Sequence, residues 1–150
     1  METSNIVYRY AVQEDLSSIF KFVDYWLSGK AKDEGVKGGV SDHFVPRGQQ
    51  IYYLKYYTVL LAMNDDEVLA WAVMTTQGTL IHLLVSGDYR GKGIGKIMLK
   101  ILNPKSVRSK TDQSSGNPNS FYEAQGFTVH EQSNIGRRKN IDILKKPTQQ

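Results

Sequence analysis

The stretch YRGKGIGK, residues 89–96, has the residue types of an anion-binding loop: three glycines alternate with lysines and an isoleucine behind an arginine. Glycine lets the backbone approach a ligand without an intervening Cβ and adopts positive φ readily. Where such a loop leads into a helix, the first N–H groups lack intrahelical acceptors and lie at the positive end of the helix dipole. The stretch therefore predicts a phosphate-binding loop in which Arg90, Lys92 and Lys96 supply charge. The alternative is an ordinary glycine-rich turn with solvated lysines.

Two well-known phosphate loops are excluded by spacing. The dinucleotide fingerprint G-x-G-x-x-G fits Gly91 and Gly93, but its third glycine position holds Lys96. The nucleotide P-loop requires a glycine five residues before its Gly-Lys pair, where Arg90 stands, and Ser or Thr after it, where Ile97 stands. What remains is R-G-x-G-x-G between a strand and a helix.

The surrounding pattern predicts an α+β fold with a mixed, mostly antiparallel sheet of about six to seven strands. A strand at 5–12 is followed by an amphipathic helix on Leu16–Leu27, and the polar, glycine-rich segment 29–47 is expected to be a mobile loop. A short helix at 48–57 leads into three β-rich runs at 57–63, 67–76 and 79–85, separated by turn residues.

The second half of the chain continues this alternation. Behind the glycine loop, a helix face formed by Ile94, Ile97, Met98 and Ile101 is expected. A fifth strand at 106–111, a short helix within 117–127 and two closing strands at about 127–132 and 138–145 complete the domain. The short helix has Asn117 as its predicted N-cap, Pro118 at the first helical position and Gly126 beyond its end. We predict one domain over 1–150, with a frayed tail at about 146–150.

Two separated segments, LLVSGDYRGKGIGKIMLKIL at 83–102 and FYEAQGF at 121–127, resemble the GNAT superfamily of acyl-CoA-dependent N-acetyltransferases. The element order also suits that family, and the resemblance is weakest over 29–56. It implies acetyl-CoA as co-substrate. The backbone and side chains of the loop would then contact the coenzyme A pyrophosphate or ribose phosphate, and the residues concerned are Arg90, Gly91, Lys92, Gly93, Ile94, Gly95 and Lys96.

The resemblance also implies roles in the reaction. Backbone N–H groups of Leu83, Leu84 and Val85 would bind the thioester carbonyl, whose oxygen gains negative charge in the transition state. Tyr122 matches the family tyrosine that protonates the leaving thiolate, although its side chain also reads as a core aromatic. The family asparagine that contacts pantetheine falls on Ser115 here, so Asn117 is the candidate for that contact.

The general base is not identified by the sequence, because the carboxylate that many family members have on the fourth or fifth strand is missing. The polar candidates on those strands are Thr79, His82 and Lys110. His82 has the right kind of side chain for a base, but which face it occupies depends on whether the strand has a bulge. Asp42 and His43 in the predicted loop, or a chain of waters, are further candidates.

Composition limits the alternatives. The chain has no cysteine, which excludes a thiolate nucleophile, and its three histidines lack metal-ligand spacing, so we expect no metal. No apolar run reaches the length of a membrane span, and we expect a cytoplasmic protein without a membrane partner. The formal charge of +4 and the basic segment at 134–140 leave a nucleic-acid-directed transferase or binder as the least favoured alternative. An active N-acetyltransferase with an unidentified amine acceptor, a catalytically silent acyl-CoA-binding module and a homodimer through a sheet edge all stay open.

Overall fold

Strands from both halves of the chain join in one mixed sheet. The computed structural model describes residues 5–35, 45–111, 118–135 and 139–146. Within these ranges the strands are β1 (Val7–Tyr10), β2 (Thr58–Asn64), β3 (Glu67–Met74), β4 (Thr79–Val85), β5 (Ser106–Thr111), β6 (Thr128–Ile135) and β7 (Lys139–Lys145). Their order across the sheet is β1-β2-β3-β4-β5-β7-β6. This arrangement confirms the predicted α+β sheet.

The helices that the structure describes lie on both faces of this sheet. They are α1 (Leu16–Leu27), α2 (Lys30–Asp33), α3 (Arg47–Tyr56), α4 (Ile94–Leu102) and α5 (Asn119–Ala124). One core cluster joins α1 to α3 with one face of the central strands, and a second joins α4 and α5 with the other face. Because both faces are covered, β2 and β3 are almost continuously apolar, as is typical of a strand buried on both sides.

The predicted meander of three strands is confirmed. β2, β3 and β4 pair antiparallel in sequence order, and the connecting turns contain Asp65 at φ 52° and Gly78 at φ +89°. Residues with short polar or no side chains tolerate this left-handed backbone, which is why the turn residues marked the strand ends.

The pairing between β4 and β5 is parallel and short. It consists of two residue pairs, Thr79 with Ser106 and Leu80 with Val107, after which the strands diverge. β5 continues instead as the partner of β7, from Ser106 with Lys145 to Thr111 with Asn140. A gap therefore opens along the carboxyl half of β4, and we call it the β4–β5 gap.

Some of the sequence predictions were wrong in detail. On α4, Ile94 and Met98 are buried as expected, but Ile97 and Ile101 are exposed, and Leu99 and Leu102 take their places in the core. The sequence contains two overlapping apolar stripes, and packing against the sheet selects the one that includes the leucines.

The short helix begins later than predicted, at Asn119. Pro118 is its N-cap rather than its first residue, since the Pro118 carbonyl already accepts from the Phe121 and Tyr122 N–H groups at 3.1 and 3.4 Å. Gly126 follows the helix at φ +98°, as expected. In the predicted loop, residues 30–33 form α2, whereas 36–44 lie outside the described residues, as do Asn117 and the tail 147–150.

Candidate active site

Backbone donors line one side of the β4–β5 gap. The Ser86 N–H group donates to the Leu69 carbonyl at 2.8 Å, on the β3 side of the strand. Because backbone groups along an antiparallel strand point alternately to its two sides, Leu83 and Val85 direct their N–H groups away from β3, and Leu84 directs its own toward β3. Arg90 Nε lies 3.4 Å from the Val85 carbonyl oxygen, which agrees with that orientation. Of the three predicted backbone donors, the geometry favours Leu83 and Val85.

The glycine loop leads from β4 into the first turn of α4. Gly91 has φ +78° and Gly93 has φ +85°, and a Cβ built at either position would meet no atom within 4 Å. The first helical hydrogen bond runs from the Ile97 N–H to the Gly93 carbonyl at 3.0 Å. The N–H groups of residues 94–96 precede it and lack intrahelical acceptors.

Charge surrounds this helix start. The side chains of Arg90, Lys92 and Lys96 are exposed on and beside the loop. An anionic ligand placed here would meet backbone donors and lysine charge at one place.

Three parts of the chain meet beside the loop. A Cβ built on Gly95 would lie 3.4 Å from Phe121 Cζ and 3.7 Å from Leu83 Cδ2. Gly95 therefore brings α4, α5 and β4 to the same point. The two sequence segments that carried the resemblance are in direct contact.

Tyr122 follows Phe121 on α5 and is buried, with 6% of its surface exposed. Its ring packs edge-on against Phe121 at 5.2 Å and Phe127 at 6.4 Å between centroids. Burial raises the pKa of the Tyr122 phenol, because the anion loses its hydration. The phenol is thus neutral throughout the physiological pH range and retains its proton for hydrogen bonding.

His82 lies on the opposite face of the sheet from Tyr122. The pairing of β3 with β4 shifts between Val73 and Met74, so Ile81 forms a bulge and His82 is opposite Val73. The imidazole stacks on Trp71 at 5.1 Å with an interplanar angle of 26°, and its Nε2 is 3.1 Å from the Tyr53 hydroxyl oxygen. The bulge left open by the sequence is therefore present, and it directs His82 toward α3.

The other predicted base candidates are separated from this arrangement. Thr79 Oγ1 is 2.9 Å from Ser106 Oγ, at the closed end of the β4–β5 gap. Lys110 is in β5, but the position of its side chain is not described, and Asp42, His43 and Asn117 lie outside the described residues.

A buried polar pair beside α5 was missed by the sequence analysis. Asn119 Nδ2 donates to Asp142 Oδ2 at 2.6 Å, and each residue is 6% exposed. Ser109, opposite Asp142 in the β5–β7 ladder, is 1% exposed, and its hydroxyl has no hydrogen-bond partner within the described part of the chain. These residues are far apart in sequence, and no local pattern links them.

A groove of about 1020 Å³ lies on the α1 face, between that helix, the β2–β3 turn and the end of β4. Its walls carry both signs of charge, including Asp65, Asp88 and Lys21, and Arg47 Nε donates to Asp24 Oδ2 at 2.8 Å. This mixture does not select a ligand of one charge.

The described ranges also bear on metal binding and on membrane insertion. No group of three or more histidine or carboxylate side chains there is arranged to hold a metal ion. None of the helices in those ranges is long and apolar enough to cross a membrane.

Comparison with known proteins identifies the fold and the family. A search of curated protein sequences finds no match to the chain. Among solved structures, the PaiA N-acetyltransferase of Thermoplasma acidophilum in complex with coenzyme A is 18% identical, with a TM-score of 0.67 over 95% of this chain and 99% of its own.

Two more structures show the same likeness. YncA of Salmonella typhimurium, an acetyltransferase by its description and solved with acetyl-CoA, is 18% identical with a TM-score of 0.64, over 98% of this chain and 97% of its own. The ribosomal-protein-S18-alanine N-acetyltransferase of Escherichia coli is 12% identical with a TM-score of 0.67, over 96% of each chain. At these identities the likeness confirms the fold.

The sequence itself carries the family assignment. A family model described as the acetyltransferase (GNAT) domain matches residues 31–145, which include β2 to β7, the glycine loop and Tyr122. The chain therefore belongs to the GNAT acetyltransferase family.

Proposed function

We propose that this protein is an N-acetyltransferase that moves the acetyl group of acetyl-CoA directly to a primary amine of a small molecule, a peptide or a protein. The observation that carries the proposal is the β4–β5 gap, which begins beyond Leu80, has backbone donors on its β4 side and opens toward the glycine loop. Similar structures bound to coenzyme A and acetyl-CoA support the choice of co-substrate.

The described residues fit this cofactor. Gly91 and Gly93 leave open space where side chains would otherwise project, so a pyrophosphate can approach the N–H groups at the start of α4. Lys92 and Lys96 place positive charge beside these N–H groups, and Arg90 Nε donates to the Val85 carbonyl oxygen. The pantetheine arm would extend from there into the β4–β5 gap, and Asn117, which lies outside the described residues, is the proposed contact to that arm.

The reaction forms one bond and breaks one. The neutral amine attacks the thioester carbon, the new C–N bond forms as the C–S bond breaks, and the amine loses a proton. Negative charge that develops on the carbonyl oxygen is met by the N–H groups of Leu83 and Val85. The departing thiolate receives a hydrogen bond and then a proton from the Tyr122 phenol.

The raised pKa of Tyr122 makes its phenol a weak acid but a dependable donor. An ordinary thiol has a pKa near 8.5, so complete proton transfer from the phenol is uphill, and the larger benefit is the hydrogen bond to the developing thiolate. The amine gives its proton to the base and from there to solvent, and a phenol that has protonated the thiolate is reprotonated from solvent, so the protons balance over one turnover.

On the acceptor side, His82 and Tyr53 are the described groups best suited to remove the proton from the amine. Their atoms are 3.1 Å apart on the α3 face, and the bulge at Ile81 aims His82 toward that face. The amine must lose a proton as the C–N bond forms, and a nearby imidazole can accept that proton as a general base.

Two measurements test the proposal. Titration of the protein with acetyl-CoA should give micromolar binding, weakened about tenfold by Lys92→Glu, which replaces one attractive charge with a repulsive one. Lys100→Glu is the matched control, since Lys100 is exposed in the last turn of the same helix, about 10 Å along the helix axis from Gly93 at 1.5 Å per residue. Thiol release from acetyl-CoA should then be followed with a panel of amines, peptides and protein lysines.

Tyr122→Phe separates an enzyme from a binding module. In an enzyme it should lower kcat about 100-fold, the usual scale for a lost acid, without loss of cofactor binding. Tyr8→Phe is its control, because Tyr8 is partly buried on the same face but in the edge strand β1. Tight acetyl-CoA binding with no thiol release from any acceptor would instead indicate a catalytically silent acyl-CoA-binding module, and no binding would refute both.

A further inference from the structure

We infer that Asn119 and Asp142 are positioning residues that set the location of Tyr122 on this face of the sheet. The inference rests on the proposed function, because it assigns these residues a part in the same reaction. Neither side chain is required to touch the substrate; they act through the helix that carries the tyrosine.

The first step is the anchoring of α5. This helix has six residues, too few for a helix to be stable by itself, so its place on the sheet depends on tertiary contacts. Asn119 is its first residue, and the Asn119 Nδ2 to Asp142 Oδ2 hydrogen bond of 2.6 Å joins it to β7. β7 pairs with β5 on one side and β6 on the other, so Asp142 stands in a doubly paired strand.

The second step is geometric. Asn119 and Tyr122 are three positions apart and lie on the same side of α5. Asp142 and Leu144 are two positions apart on β7 and therefore point to the same face of the sheet. Leu144 belongs to the same core cluster as Tyr122. The pair and the phenol therefore lie on one face of the sheet, so the bond fixes the rotation of the helix that places the hydroxyl.

The third step concerns energy. Asp142 is 6% exposed, and a carboxylate removed from water is costly unless it accepts hydrogen bonds. Any shift of α5 that lengthens the bond leaves that charge without its hydrogen bond. Displacement of the helix therefore costs free energy, and α5 is held rigidly in place. Stiffness matters here because misplacement of a catalytic group by about 1 Å can cost about 100-fold in rate.

The experiment removes the bond without leaving a buried charge alone. The double variant Asn119→Ala/Asp142→Val replaces both partners with apolar groups, a change that is often close to neutral for stability. We expect kcat to fall about 10- to 100-fold with little change in the acetyl-CoA Kd or in the urea midpoint. The exchanged pair Asn119→Asp/Asp142→Asn keeps one amide–carboxylate bond and should recover most of the rate.

A second readout tests whether the Asn119–Asp142 pair affects kcat through Tyr122. In the Tyr122→Phe background the apolar double variant should have no further effect on kcat, because residues acting through one group are not additive. Ser109→Ala is the matched control: it removes a buried hydroxyl opposite Asp142 that has no partner in the described ranges, and it should change neither kcat nor the midpoint.

Ring-labelled tyrosine NMR makes the test independent of turnover. The resonance missing from Tyr122→Phe belongs to Tyr122; it should move in the apolar double variant, return in the exchanged pair and stay in place in Ser109→Ala. An unmoved resonance, or an unchanged kcat in the apolar variant, overturns the inference. A wild type that transfers no acetyl group refutes the proposed function instead, and the NMR result then decides the placement of Tyr122 alone.

Discussion

Gly95 packs so closely against Phe121 that a Cβ on Gly95 would lie 3.4 Å from Phe121 Cζ. Gly95 is the second residue of α4, and Phe121 immediately precedes Tyr122 on α5. The first turn of α4, which follows the glycine loop, therefore packs directly against α5, which carries Tyr122.

Enlarging Gly95 should disturb both helices at once. Gly95→Leu adds a branched side chain where only a methyl group fits, and overpacking of this kind should lower the free energy of unfolding by about 1–3 kcal/mol. It should also weaken acetyl-CoA binding. Urea unfolding and acetyl-CoA titration would measure the two effects, with Gly48→Leu as control, since a Cβ on Gly48 in α3 meets no atom within 4 Å. Equal losses in both variants would contradict the close contact.

Backbone conformation at Gly93 gives a second prediction. Its φ of +85° at the N-cap of α4 is unfavourable for a residue with a Cβ, although space for one exists. Gly93→Ala should therefore cost about 1–2 kcal/mol in unfolding free energy and weaken acetyl-CoA binding as the loop relaxes. The same change at Gly48, which lies within a helix at ordinary φ, should raise stability by about 0.5–1 kcal/mol. A loss of binding without any loss of stability would show that the methyl group blocks the ligand rather than strains the loop.

The local features of this fold could be predicted from the sequence because they depend on neighbouring residues. Turn residues delimited β2, β3 and β4, and glycines followed by an apolar period marked the loop and α4. Where two local solutions existed, the prediction was wrong: Ile97 and Ile101 fit an apolar stripe as well as Leu99 and Leu102 do. Only the position of the helix on the sheet decides between them.

The features of the site that could not be predicted are long-range. The bulge at Ile81 is defined by mismatched pairing with β3, and the contact of His82 with Tyr53 spans 29 residues of sequence. The bond between Asn119 and Asp142 spans 23 residues. Neither contact leaves a periodic or spaced pattern, so a single sequence does not reveal it.

The contact between His82 and Tyr53 predicts a pH dependence of turnover. If imidazole accepts the amine proton, kcat/KM of the wild type should fall in acid as that imidazole becomes protonated. His82→Gln should lower kcat/KM about 100-fold at pH 7 and abolish that acid limb. Tyr53→Phe removes the hydroxyl 3.1 Å from Nε2 and should lower kcat/KM by a smaller factor.

The control for this prediction is Tyr52→Phe, which changes an exposed phenol on the same helix. At high pH no second limb from Tyr122 is expected below about pH 10, because burial raises its pKa above that of an ordinary phenol. An acid limb that survives in His82→Gln would assign the base to another group.

Arg9 and Asp15 predict how stability depends on pH. The guanidinium donates to both Asp15 carboxylate oxygens at 2.8 Å, and the Val12 N–H donates to the same side chain at 2.8 Å. These hydrogen bonds hold the pKa of Asp15 below its ordinary value, and the bonds from Arg9 contribute more than the bond from Val12. The unfolded state therefore binds more protons in acid, so this contribution is complete above about pH 5 and declines as the pH falls through the folded pKa.

Asp15→Asn should accordingly lower the free energy of unfolding by about 1 kcal/mol at pH 7, a modest value because the Arg9 side chain is 40% exposed. The difference from wild type should shrink as the pH is lowered to about 3, where the wild-type carboxyl is increasingly protonated in the unfolded state. Urea unfolding at both pH values measures it, with the exposed neighbour Glu14→Gln as control. A deficit of the same size at both pH values would show that the variant acts by packing and that the ion pair contributes nothing measurable.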